Sequence, residues 1–241
     1  MDPRIENINV HKALSAIADI AMPRVCVVCG RALIPQEKDI CLECLADLPE
    51  TRFWLTSHNP MADKFNALVD DTRYCYAAAL YWYDEDAGYK NISQSLKYRR
   101  NFSVGKHFGQ ILGEELAGSE QFCDVDAIVP VPLHWTRRWK RGYNQAEIIA
   151  KEIASVLSAT LDNKILRRIK RTKTQTKVTI GQKSQNVKGA FKSLPGKSYK
   201  HILLVDDVFT TGSTLSACHA ALRDHYGPEI RISVATLGYV K

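Results

Sequence analysis

The segment from Ile202 to Leu215 combines a short apolar run, two adjacent aspartates and a loop of small hydroxyl residues. The run Ile202–Val205 predicts a buried strand, and the spacing of Leu215 and Leu222 predicts a helix after the loop. A strand that is apolar on both sides must be covered on both faces, which is typical of parallel sheets in α/β proteins. Ligands of such sheets bind beyond the carboxyl ends of the strands, beside helix N-termini. The polar residues of this segment are therefore predicted to form a binding site.

Two kinds of group occupy this predicted site. Asp206 and Asp207 can accept hydrogen bonds from a pair of vicinal hydroxyls, as on a ribose. The loop after them can offer successive backbone N–H groups and hydroxyls to a phosphate, aided by the N-terminus of the helix. Its residues are Thr210, Thr211, Gly212, Ser213 and Thr214. A diol at the acidic pair and a phosphate in the loop together describe a ribose 5-phosphate.

Other interpretations of an apolar run that ends in two aspartates fit less of the chain. A receiver domain of the response-regulator type would need on the order of a hundred further residues after the pair, whereas 34 follow Asp207. A Walker B strand fits the pair, but the chain has no G-x-x-x-x-G-K-[ST] loop. A purely structural role, in which the carboxylates cap the next helix, stays open.

The chain between residue 74 and the C-terminus alternates between strand-like and helix-like patterns. Strands are predicted near residues 74–83, 126–132, 202–205 and 230–235, and helical stripes near 104–116, 146–157 and 215–222. This alternation predicts an α/β domain with a mainly parallel sheet flanked by helices. No apolar run approaches the roughly 20 residues of a membrane span, and the N-terminus does not resemble a secretory signal. We therefore expect a cytoplasmic protein without membrane insertion.

Four of the seven cysteines form two C-x-x-C pairs, Cys26 with Cys29 and Cys41 with Cys44. Two such pairs match a tetrahedral thiolate zinc site better than two disulfides in a cytosolic chain, and a redox dithiol is the alternative. Four thiolates leave no coordination position for a substrate. The Zn²⁺ is therefore predicted to stabilise a small module and to perform no chemistry.

The N-terminal region before the cysteines also has a regular pattern. Apolar residues recur at steps of three and four between Val10 and Ala21, which predicts an amphipathic helix that ends before Pro23 and packs on the zinc module. A linker-like passage follows the module. The predicted domains are therefore residues 1–58, a helix with the zinc module, and residues 59–241, the α/β domain.

The net charge of +7 conceals an uneven distribution along the chain. Between His134 and His201 there are 17 Lys and Arg against three acidic residues. Such a segment attracts phosphate on a nucleotide, a sugar phosphate or a nucleic acid, and charge alone does not choose among them. Within it, the aromatic and basic residues from Trp135 to Tyr143 fit single-stranded DNA, whose bases stack on aromatic rings. A helix start whose aromatic side chains pack inward is an equally good interpretation.

The segment from Ile202 to Leu215 resembles the phosphoribosyl-diphosphate (PRPP) binding motif of type I phosphoribosyltransferases. Upstream of it lie three further motifs, P-V-P-L-H-W from Pro130, G-Y-N-Q from Gly142 and the polar stretch from Thr172 to Phe191. Together with the cysteine pairs, this order resembles the ComF family of bacterial proteins, which join a zinc-binding module to a phosphoribosyltransferase-like domain. The resemblance extends from Cys26 to Leu237.

The resemblance implies a type I phosphoribosyltransferase-like fold, PRPP as ligand and Mg²⁺ on its diphosphate. It implies that Asp206 and Asp207 are the catalytic pair, that the basic loop after Pro132, with Leu133 and Arg141, contacts the diphosphate, and that residues 171–186 cover the site as a flap. The segment from Lys97 to Arg100 is expected near the site. Lys183 stands where the family usually has arginine, which puts a bidentate phosphate contact at that position in doubt.

Two functions follow as expectations. The first is transfer of a phosphoribosyl group from PRPP to an acceptor that the sequence does not identify, in a protein linked to competence and DNA uptake. The second is a non-catalytic accessory protein that binds single-stranded DNA and works with DNA-uptake proteins, with the sugar-phosphate pocket as a sensor or relic. Binding of PRPP that depends on the acidic pair separates the two.

Overall fold

The computed structural model describes residues 23–69, 71–98, 100–133, 142–170 and 189–241. The chain forms two compact units, residues 1–48 and 49–241. The helix predicted between Val10 and Ala21 lies outside the described residues. The functional division after residue 58 that the sequence suggests remains a proposal.

In the first unit, the described residues form a small cysteine-bearing fold. An isolated antiparallel bridge joins Val25 to Ala32, and helix α1 covers Leu42–Ala46. Cys41 caps α1, because its sulfur accepts a hydrogen bond from the Cys44 amide. The short helix thus begins at the third cysteine of the cluster and contains the fourth.

The second unit alternates strands and helices along the chain. It begins with a short 3-10 helix, Phe53–Leu55, and ends with a long strand. The remaining elements are α2 (Pro60–Asn66), β1 (Ala77–Tyr83), α3 (Lys90–Tyr98), α4 (Phe102–Ala117), β2 (Ala127–Pro130), α5 (Gln145–Leu157), β3 (Thr160–Leu161), β4 (Leu166–Arg168), β5 (Phe191–Ser193), β6 (His201–Phe209), α6 (Ser213–Tyr226) and β7 (Arg231–Val240). The predicted α/β class is confirmed.

Five strands form one parallel sheet in the order β1-β7-β6-β2-β3. The central strand β6 pairs with β2 and β7, so that Val205 lies beside Pro130 and Ala235. Its first five residues are fully covered, as expected for a strand with helices on both faces. β4 and β5 form a separate antiparallel pair. The carboxyl ends of β2, β6 and β7 therefore meet at one edge of the sheet.

Several elements were not predicted, because they are short or lack periodic apolar spacing. β3, β4 and β5 have two or three residues each, and α3 contains polar residues such as Ser93 and Ser95 among its buried positions. Within the part of the chain that the structure describes, no helix has the length and apolar character needed to cross a membrane.

Candidate functional site

The acidic pair lies in the second half of β6. Successive residues of a strand point to opposite faces, so Asp206 and Asp207 diverge from one another. Asp207 Oδ2 lies 2.6 Å from the ammonium of Lys97 in α3, while Asp206 Oδ1 accepts a hydrogen bond of 2.9 Å from the Asp207 amide. Asp206 lies on the side of α6, where its charge helps to raise the pKa of the buried Cys218 thiol, an effect that burial itself dominates. The central strand therefore presents one carboxylate toward α3 and one toward α6.

Burial and neighbouring charges shift the pKa values of Asp206 and Lys97. Burial, and next the charge of Asp207, raise the pKa of Asp206 to about 7. Burial alone would lower the pKa of Lys97, but the charges of Asp207 and Asp206 outweigh it and raise that pKa. Near neutral pH, Lys97 is therefore charged, whereas the carboxyl group of Asp206 is partly protonated. Such perturbed groups are common where ligands or reacting groups are held.

The loop after β6 is shaped to receive an anion. Gly212 has φ of +74° and precedes α6, and no side chain caps this helix end. The first amides of α6 therefore point toward the loop without a side-chain partner, which is the arrangement that binds phosphate at helix N-termini. The hydroxyls of Thr211 and Ser213 lie 3.0 Å apart beside them. A side chain at position 212 would collide with Phe209, since a Cβ there lies 2.6 Å from its ring.

Asp206 and the loop share a small cavity. Its volume is about 40 Å³, and Asp206 lines it together with residues 208–215. Lys64 of α2 adds a cation at its edge, because its ammonium donates a 2.9 Å hydrogen bond to the Thr210 carbonyl. No sequence pattern predicts Lys64 at this site, because it lies 146 residues from Thr210 in the chain. The structure thus brings Asp206 together with all five predicted loop residues.

The end of β2 lies at the same sheet edge. Pro132 and Leu133 lie two and three residues beyond the end of β2 and line a separate cavity of about 30 Å³ with Asn144 and three further residues. Asn144 is buried and donates a 3.0 Å hydrogen bond to the Val131 carbonyl, which fixes the G-Y-N-Q motif against this turn. Arg141, Lys183 and the predicted flap at 171–186 lie outside the described residues. Their predicted contacts with a diphosphate remain predictions.

The four N-terminal cysteines form one cluster. Their sulfur atoms all lie within 4.8 Å of one another, and Cys29 Sγ is 3.8 Å from Cys41 Sγ. A tetrahedral zinc with Zn–S bonds of about 2.3 Å has S–S edges of about 3.8 Å. The Cys26 sulfur accepts a hydrogen bond of 3.4 Å from the Cys41 amide. Burial opposes ionisation of Cys26, but the surrounding amides outweigh it and lower its pKa to about 7. The cluster therefore fits a zinc ion.

A second group of metal-type side chains has another explanation. Asp71 Oδ2 lies 2.8 Å from His219 Nε2, and Cys75 Sγ lies 3.5 Å from the same nitrogen. Arg223 also contacts Asp71 Oδ2, while its other amino group donates to two backbone carbonyls beyond α6. This fixed cation neutralises Asp71 and opposes a metal ion, and burial raises the pKa of Cys75 to about 12. We interpret the group as a structural network that holds residues 71–75 against α6.

The sequence matches the family model of the phosphoribosyl transferase domain over residues 143–238. It is 34% identical to competence protein F of Haemophilus influenzae over 147 residues, which are 58% of this chain and 64% of that protein. It is 28% identical to the DNA utilization protein YhgH of Salmonella typhimurium and 29% identical to that of Escherichia coli K12, and each alignment covers 80% of this chain and 81% of the relative. The chain is homologous to these proteins.

The matched range contains the acidic pair, the loop and α6, so the site described above lies in a phosphoribosyl transferase domain. The resemblance inferred from the motifs is thereby confirmed. The chain spans less than two thirds of the length of the Haemophilus relative. The cysteine cluster lies outside the range that matches the domain model and is compatible with a zinc module.

Proposed function

We propose that the phosphoribosyl transferase domain of this protein binds the ribose 5-phosphate part of PRPP. Asp206 and Asp207 accept hydrogen bonds from the ribose hydroxyls, and residues 210–214 bind the 5-phosphate. The observation that carries the proposal is the shared cavity, in which a carboxyl group and an uncapped helix N-terminus lie on one continuous strand, loop and helix. A sugar that carries both vicinal hydroxyls and a phosphate satisfies both groups at once. Lys64 supplies further positive charge beside the loop.

We also propose that the bound PRPP transfers its phosphoribosyl group to an acceptor. In that reaction the bond between C1 and the diphosphate breaks, the diphosphate leaves with the bonding electrons, and the acceptor forms the new bond to C1. Mg²⁺ on the diphosphate would stabilise the leaving group. The loop at Pro132 and Leu133, with Arg141 and Lys183, is proposed to contact the diphosphate. Exclusion of water from the positively charged sugar would favour transfer over hydrolysis.

A second proposed function concerns DNA. The relatives are named as a competence protein and as DNA utilization proteins, and residues 134–201 hold 17 basic against three acidic side chains. We propose that this segment binds single-stranded DNA and that the protein acts with the DNA-uptake machinery in the cytoplasm. Because such binding depends on phosphate contacts, its affinity should fall steeply as salt is added. It requires neither the acidic pair nor the loop.

Calorimetric titration and thermal unfolding with PRPP and Mg²⁺ test the first proposal. The native protein should bind PRPP and gain thermal stability, as any ligand specific for the folded state causes. Asp206→Asn/Asp207→Asn should lose both effects, whereas Asp86→Asn, a change at an exposed aspartate in a loop, should keep them. If the native protein does not bind PRPP at saturating concentration but binds an oligonucleotide tightly, the first proposal is contradicted and DNA binding is the function that remains.

For the N-terminal unit we propose a structural zinc ion held by Cys26, Cys29, Cys41 and Cys44. Metal analysis of the purified protein should find about one zinc per chain, because one tetrahedral site uses all four thiolates. Thiol-reactive reagents should release it. A protein without zinc, whose four thiols titrate freely in the folded state, would contradict this proposal. Cys123→Ser is a control, because this exposed cysteine lies in the other unit.

A further inference from the structure

Lys97 places a fixed positive charge at the acidic pair. Its ammonium lies 2.6 Å from Asp207 Oδ2, and the two side chains are only 28% and 13% exposed. The charge of Asp206 acts on the same ammonium. Within the described ranges, Lys97 is the residue that forms a salt bridge with the pair. The contact joins α3 to β6, so it depends on tertiary structure and not on local sequence.

The fold holds this lysine in place before any ligand arrives. On the turn before it, Ser93 is buried and its hydroxyl lies 2.9 Å from the hydroxyl of Tyr81 in β1. Next to it, the carbonyl of Leu96 accepts a hydrogen bond from the Tyr143 hydroxyl. Leu96 itself is fully buried. These two contacts anchor the part of α3 that precedes Lys97, so that mainly its side chain has to be ordered.

The charges of the site require a cation at this place. Two neighbouring carboxylates repel one another at low effective dielectric, and a phosphorylated ligand adds further negative charge. A divalent ion is one solution, and a lysine supplied by the chain is another. Since the ammonium already occupies one face of Asp207, a metal ion at that oxygen would have to displace it.

We propose that Lys97 is the resident counter-ion of the acidic pair, so that the pair binds ribose hydroxyls without a divalent cation. This inference rests on the proposed function. It divides the ligands into those that bind without a divalent cation and those that need one. Ribose 5-phosphate binds without metal, whereas Mg²⁺ is needed only when the ligand carries the diphosphate, as PRPP does. Lys97 acts through Asp207 and is a positioning residue.

The first test is a titration of ribose 5-phosphate by calorimetry, in buffer freed of divalent ions by a chelating resin and again with added MgCl₂. A soluble chelator is avoided because it would also remove zinc from the cysteine cluster. The native protein should bind with the same affinity in both buffers. Lys97→Met should lose about tenfold or more without metal, the effect of a lost charge-assisted contact, and Mg²⁺ should restore part of it. Lys97→Arg should retain the metal-independent binding.

The second test needs no sugar. Electron paramagnetic resonance should show that Lys97→Met gains one Mn²⁺ site relative to the native protein, and that Lys97→Met/Asp207→Asn loses it again. Lys90→Met, a change at the other end of α3 where the ammonium donates to the Glu85 carbonyl, should gain none. If Lys97→Met does not fold, Lys97→Gln replaces it in both tests.

These outcomes separate the two proposals. Absence of ribose 5-phosphate binding in the native protein overturns the proposed function, and the manganese experiment then decides the role of Lys97 alone. The role of Lys97 is overturned if the native protein needs Mg²⁺ for ribose 5-phosphate. It is equally overturned if Lys97→Met binds the sugar as well as the native protein in metal-free buffer, or gains no Mn²⁺ site.

Discussion

The two ends of β6 both carry polar side chains, but those side chains differ in how fully they are paired within the protein. At the amino end, the His201 ring is 1% exposed, and its two nitrogens contact Asp124 at 2.7 Å and Ser233 at 2.8 Å. Asp124 is also paired with Arg231 at 2.7 Å. At the carboxyl end, Asp207 pairs with Lys97 at 2.6 Å, and the strand leads into a loop whose helix end has no side-chain cap.

The difference shows which end is structural and which is prepared for a ligand. Every hydrogen-bonding group of the His201 ring is used within the protein, which is what a stabilising network requires. Around Asp206, burial and like charge raise the pKa, so that part of the folding free energy is lost at the site. An unfavourable arrangement of this kind is retained where function needs it.

The largest effect on stability is expected at the amino end. His201→Ala removes a buried ring and leaves the carboxylate of Asp124 without one partner, which should lower the free energy of unfolding by about 3 kcal/mol. Urea titration measures the change. His225→Ala is the matched control, because this histidine is exposed near the end of α6. If His201→Ala lowers the free energy of unfolding no more than His225→Ala does, the network around His201 does not stabilise the fold. The proposed difference between the two ends of β6 would then be wrong.

At the carboxyl end, substitutions are expected to weaken ligand binding more than stability. Asp207→Asn should weaken the binding of ribose 5-phosphate by about a hundredfold, since it removes charged acceptors from the sugar hydroxyls. Asp206→Asn should weaken binding as well, and because it ends the repulsion between the carboxylates it should leave stability unchanged or increase it. Calorimetry and urea titration of the same samples give both values. Loss of stability without loss of binding would show that Asp206 is a structural residue.

A smaller effect on stability is expected at Gly212. Gly212→Ala combines an unfavourable positive φ with a close contact to Phe209, and should cost about 2 kcal/mol together with phosphate binding. Gly227→Ala at the other end of α6 separates the two causes, because φ there is +79° and nothing lies within 4 Å of the added carbon. With ψ at −175°, its backbone lies in a region that is essentially restricted to glycine, so the change should cost about 1–3 kcal/mol through strain alone and leave binding intact. Equal effects of both changes on binding would argue against a shaped anion loop.

The pH dependence of stability should have opposite signs at the two ends. Burial lowers the pKa of His201 below its usual value of 6.5 although Asp124 opposes this, so its contribution is lost as the pH falls below about 6.5. The pKa of Asp206 is raised to about 7, so between its usual value of 3.8 and about 7 the native state holds the extra proton, and stability falls as the pH rises.

Thermal unfolding across this range in single variants checks the signs. Asp206→Asn should make stability rise more steeply with pH, and His201→Gln should make it rise less steeply. The same slope in both variants would show that neither group titrates as described.

The sequence predicts the carboxyl end of β6 better than its amino end. The strand, the two aspartates and the loop are contiguous, so their order alone places them at one sheet edge, and the two C-x-x-C pairs likewise determine a compact cluster. His201 gives no such signal, because its partners lie 77 and 32 residues away. Lys64 is brought to the site only by the docking of α2. Lys97 reaches the pair through the docking of α3, in the place that the family resemblance implied but that no pattern of spacing shows. Residues that act across elements are therefore found in the structure, whereas residues within one strand–loop–helix unit can be predicted.

The most direct test of the account follows backbone amide resonances during a titration with ribose 5-phosphate. If the loop binds the phosphate and the pair binds the hydroxyls, the amides of residues 211–215 and of Asp207 should shift together and saturate at one ligand per chain. Ribose without its phosphate should leave the loop amides unmoved. Saturating shifts confined to other parts of the protein, or none at all, would contradict the assignment of this site.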